Sequence, residues 1–119
     1  MNNEKRILWA LKIGVAGEFI GHGALALGGK ADWVGWIQQL SGLSASTATT
    51  VLIIIGFLDI LLGLIVLIRP VRPLLLWMAF WGFFTAILRP IVGHSIWDFI
   101  ERFANWGAPL ALFYLLKKE

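Results

Sequence analysis

The chain has 119 residues, of which 59% are hydrophobic and only 14% charged. Soluble domains carry about 45–50% apolar and about 25% charged residues, so the balance points to a membrane protein of one domain, 1–119. No cysteine is present, which excludes disulfides, thiolate nucleophiles and iron–sulfur ligation. The formal net charge is +3, but the basic residues sit mainly at the ends of apolar runs. That is the pattern of a membrane protein anchored on its cytoplasmic side, and no nucleic-acid partner is expected.

The first apolar run predicts a span over about 7–28, ended by Gly28, Gly29 and Lys30. Lys5 and Arg6 precede it as in a signal peptide, but Lys12, Glu18 and His22 interrupt the apolar run and no small-residue cleavage site follows. The reading is a retained span. Trp33, Trp36, Ile37 and Leu40 then repeat at helical spacing beside polar neighbours, and predict a short interfacial helix over about 32–41. Ser44 to Thr47 offer caps for a second span over 47–68, which is nearly pure aliphatic and glycine except for Asp59. The Arg69-Pro70-Val71-Arg72-Pro73 segment stops it.

A third span is predicted over 74–88, rich in Trp77, Phe80, Trp81, Phe83 and Phe84 and closed by Arg89-Pro90. His94 falls in the next connection. A fourth span is expected over 96–116, with Asp98, Glu101 and Arg102 on its first turns and a bend at Pro109. The expected fold is therefore all-α: an integral membrane antiparallel four-helix bundle with an interfacial helix after the first span. Lys5, Arg6, Arg69, Arg72, Lys117 and Lys118 outweigh Lys30, Arg89 and Arg102, which places both termini in the cytoplasm.

Glu18 and His22 stand four residues apart, on one face of a helix, among Gly14, Gly17, Gly21 and Gly23. Glycines at such spacing usually mark a close helix–helix contact. Ionisable groups at membrane depth face a bundle interior and need partners. Counting residues along the spans puts Glu18, His22, Asp59, Arg89 and Arg102 in one half of the bundle. Three readings stay open. The cluster binds a hydrophobic small molecule such as a quinone or lipid, with the aromatic face of Trp77, Phe80, Trp81 and Phe84 as candidate pocket wall. Or it is a purely structural network, Glu18 and Asp59 paired with Arg89 and Arg102, in a structural or assembly protein. Or it moves protons in a coupled transporter. Metal binding by Glu18, His22 and Asp59 rests on one weak spacing, and no metal is assigned.

Three stretches resemble the DoxX-like family of small four-span membrane proteins: Gly14 to Lys30, Gly56-Phe57-Leu58-Asp59-Ile60-Leu61-Leu62-Gly63, and Thr85-Ala86-Ile87-Leu88-Arg89-Pro90. Glu101 to Leu110 has the same character. The resemblance implies the four-span fold and a place in a bacterial inner membrane. It also implies a membrane oxidoreductase complex as partner and a link to thiosulfate:quinone oxidoreduction; a homo-oligomer is expected where four short spans must enclose a path. It transfers no catalytic residue and no cofactor to any position. Whether the protein is an enzyme stays open.

Overall fold

The computed structural model describes residues 2–116. Those residues form six helices and no strand: α1 (Asn3–Leu27), α2 (Ala31–Ser41), α3 (Ala45–Ile68), α4 (Arg72–Ile91), α5 (Ile96–Ile100) and α6 (Ala104–Leu115). Three of them, α1, α3 and α4, are long and apolar enough to cross a membrane. Lys117 and Lys118, counted above for orientation, lie outside the described residues.

The helix ends follow local chemistry. Asn2 caps α1 by accepting a hydrogen bond from the Lys5 amide, 2.9 Å, so the helix starts at Asn3 and takes in the polar start. Ser44 caps α3 by accepting from the Thr47 amide, 3.2 Å. Helix α4 exceeds the expected 74–88 at both ends. Pro73 sits in its first turn, where a missing amide hydrogen costs nothing. Pro90 sits in its last turn, where it removes one backbone bond without ending the helix, which runs on to Ile91.

The expected continuous helix over 96–116 is the main correction. It is divided into α5 and α6 by a turn at 101–103. The amides of Arg102 and Phe103 bond to the carbonyls three residues back, Phe99 and Ile100, at 3.1 and 3.2 Å, and Asn105 continues the pattern to Arg102. This is 3₁₀ geometry. Trp97, Ile100, Phe103 and Trp106 recur every third residue, a spacing that suits that tighter helix as well as the α-helix. Helix α6, with 12 residues, is too short to cross a membrane by itself.

The helices pack α3–α1–α6–α4, with α2 on α3 and α5 on α4. Glycines set the closest approaches. A Cβ on Gly56 would lie 2.8 Å from the Gly23 carbonyl oxygen, and one on Gly63 would lie 3.1 Å from the Ala16 carbonyl oxygen. A Cβ on Gly82 would collide with the Asn105 carbonyl, which fixes the start of α6 on α4. Lipid tails are as apolar as leucine, so close van der Waals packing at such points, more than apolar burial, holds the helices together. The glycine contact expected on Gly14, Gly17 and Gly21 is not made: a Cβ on any of these three meets nothing within 4 Å.

Val15 and Phe19 of α1, Leu62 and Val66 of α3, Leu75 and Met78 of α4 and Leu112 of α6 form the buried core. It occupies the half of the bundle near the α3–α4 turn. Toward the α2 end, α3 and α4 are not closely packed against each other, and a cavity opens between them.

Candidate functional site

Four helices build the walls of this cavity, whose volume is about 110 Å³. Helix α1 supplies Glu18, Phe19 and His22, and α3 supplies Leu52, Ile55 and Asp59. Helix α4 supplies Trp81, Thr85 and Arg89, while Trp33, Trp36 and Leu40 of α2 close it over. Glu18 and His22 share a wall because they are one helical turn apart. Asp59 reaches the cavity because the Gly23–Gly56 approach seats α3 directly on α1.

Asp59 is buried, with 6% of its surface exposed, and Arg89 with 7%. Arg89 donates a hydrogen bond from Nη1 to the Thr85 carbonyl, 2.5 Å, one turn back on its own helix. Its guanidinium carbon stands 5.1 Å from the centre of the Trp36 ring. That contact ties α2 to α4. The His22 ring meets the edge of Trp33 at 5.7 Å, and Trp36 meets His94 at 5.5 Å.

The expected ion pairs are not formed. Among the described residues the oppositely charged pairs are His94–Asp98 at 3.5 Å and Arg102–Glu101 at 2.6 Å. Neither involves Glu18 or Asp59. Arg102 also donates to the Asp98 carbonyl, 2.8 Å, which holds it at the α5–α6 turn. It lines an open groove beside the cavity together with Glu101, Asn105, Gly17 and Gly21. Glu18 and His22 border both spaces and so form the wall between them. The structure thus gathers Glu18, His22, Asp59 and Arg89 around one cavity and sets Arg102 in the adjoining groove. Among the described residues, no group of three or more carboxylate or imidazole side chains is arranged to hold a metal ion.

The aromatic face divides in the same way. Trp81 lines the cavity, stacked on Trp77 at 5.7 Å. Trp77, Phe80 and Phe84 point away from the bundle and are exposed. The buried face of α4 is instead Leu75, Met78, Ala79, Gly82, Ala86 and Arg89, and Trp81 stands at its margin.

Sequence reasoning missed Trp33, Trp36 and Leu40 as lining residues. Their helical spacing signals an amphipathic helix, which a membrane surface or a bundle end can satisfy equally well. Lys30 Nζ, 4.7 Å above the Trp33 ring, holds the start of α2. Thr85 was missed because a lone threonine in an apolar span carries no sequence signal. Its hydroxyl donates back to the Trp81 carbonyl at 2.9 Å, as hydroxyls inside helices commonly do. Compared with known proteins, the chain matches no protein-family model, no curated protein and no solved structure.

Proposed function

We propose that the chain is a small integral membrane protein of DoxX-like type that holds a hydrophobic small molecule, such as a quinone or a lipid, in the cavity between α3 and α4. In this reading it acts as a subunit or binding protein of a larger membrane assembly. Helices α5 and α6 together make a fourth crossing, and both termini lie in the cytoplasm of a bacterial cell. The observation that carries the reading is a cavity walled mainly by tryptophan and aliphatic side chains, lined also by Glu18 and Asp59, which have no hydrogen-bond partner among the described residues. Mostly apolar walls with a few convergent polar groups are the usual make-up of a small-molecule site.

Purification in lipid nanodiscs followed by native mass spectrometry tests the reading. A bound small molecule is expected on the natural chain and absent from Glu18→Gln, with the variant folded to the same extent. The structural alternative makes the opposite prediction. If Glu18 serves register through ion pairs, Glu18→Gln unfolds more easily and the natural chain carries no ligand. Arg89 engaged by Thr85 and Trp36, and Arg102 engaged by Glu101 and Asp98, favour the binding reading.

A further inference from the structure

The cationic side chains around the cavity are already engaged elsewhere. Lys30 stands over Trp33, Arg89 stands over Trp36 and donates to Thr85, and Arg102 is paired with Glu101. None is within ion-pair distance of Glu18 or Asp59, and neither carboxyl has a hydrogen-bond donor among the described residues. Asp59 is more than nine-tenths buried and its side chain lines the cavity. Arg89 follows Trp81 by two helical turns, roughly 12 Å along α4, and its guanidinium is turned to the Thr85 carbonyl and the Trp36 ring. Buried carboxylates without a counter-charge are costly. Within ion-pair distance the described residues supply neither carboxyl with a counter-charge, which leaves a proton, a metal ion or an organic cation to meet it.

The walls discriminate among these. A metal ion held by side chains asks for several carboxylate or imidazole groups converging on one point, and the described residues offer no group of three. A proton would satisfy a carboxyl in any surroundings and leaves the aromatic and aliphatic walls without a role. An organic cation uses both features. Its charge meets the carboxylates, and its methyl or methylene shell meets the indole ring of Trp81 and the aliphatic wall of Leu52 and Ile55. We propose that the ligand of this cavity carries a substituted ammonium group, seated between Glu18 and Asp59 against Trp81. The proposal rests on the ligand-binding reading above and specifies the polar end of the molecule.

The test compares benzyltrimethylammonium with its uncharged carbon isostere, neopentylbenzene. Binding is followed by tryptophan fluorescence of the protein in nanodiscs, with free concentrations corrected for partition into empty nanodiscs. The cation is expected to bind at least about tenfold more tightly than the isostere, a ratio that one charged contact on an aromatic wall can supply. Asp59→Asn and Glu18→Gln should each reduce that preference. If a carboxyl variant fails to fold, Trp81→Leu provides the same readout, because it removes the ring and keeps both carboxyls. Equal binding of the two compounds overturns the ammonium assignment and leaves the hydrophobic site standing. Binding of neither overturns both. A preference that survives in all three variants overturns the assignment by placing the cation elsewhere.

Discussion

At the scale of single residues, the glycines separate into two kinds that look alike in the sequence. Gly56 has no room for a side chain, because a Cβ would lie 2.8 Å from backbone oxygen that cannot move away. Gly56→Ala is therefore expected to push α1 and α3 apart and destabilise the fold by about 1–3 kcal/mol, the usual cost of overpacking. Gly21 faces open space, so Gly21→Ala should change stability by less than about 1 kcal/mol, and in the favourable direction, since alanine suits a helix better. Denaturant titration of both variants in detergent micelles checks the pair, and equal effects would contradict the α1–α3 packing. The Gly-x-x-x-Gly spacing at Gly17 and Gly21 meets no helix of the same chain, because spacing fixes which residues share a face and leaves open what that face meets.

At the scale of elements, α2 is a cover held by few contacts. It contains no buried residue, and it is joined to its neighbours through Gly29 and Gly42, both at positive φ, 67° and 76°. Glycine takes that conformation without steric cost, so both connections can turn sharply. Beyond the packing of α2 on α3, Trp36 ties α2 to Arg89 and His94. The absence of natural cysteine makes a single-cysteine probe clean. In a Thr85→Cys background, adding Trp36→Ala should raise the rate of labelling by a small maleimide several-fold, as the cover loosens. An unchanged rate would show that α2 is secured by other means. The division of α5 from α6 belongs to this scale as well. A three-residue repeat of aromatic and aliphatic side chains fits both helix types, and the approach of the Asn105 backbone to Gly82 locks the tighter choice.

For the whole molecule, the proposed four crossings make a definite statement about sides. Residues of the α2–α3 and α4–α5 connections lie on one side of the membrane, and the α3–α4 turn lies on the other. Ser41→Cys, at the last residue of α2, and Ser95→Cys should thus react together with a membrane-impermeant reagent added to whole cells, while Arg69→Cys reacts only after the membrane is opened. Reaction of all three in whole cells would overturn the arrangement. The bundle is tied at one end by the seven-residue core and parted at the other by the cavity. Replacement of Met78 by alanine in that core should cost about 2–5 kcal/mol, the range for a fully buried large side chain, and thermal unfolding would report it.

Much of this was written in the sequence by itself. Length and hydropathy set the three long apolar helices, because a chain crossing hydrocarbon must satisfy its backbone internally over a fixed thickness. Asn2 and Ser44 set two of the helix starts through their own side-chain oxygens. The i, i+4 relation put Glu18 and His22 on one wall, and counting along the spans brought Asp59 and Arg89 to the same half. Tertiary structure alone decided which groups touch. Arg89 turned to its own helix and to Trp36, Trp81 alone of its aromatic face reached the cavity, and α2 closed over the carboxyls. These outcomes depend on the separation and rotation of neighbouring helices, set by the close approaches at Gly23, Gly56, Gly63 and Gly82, and no periodicity along one strip of sequence encodes them.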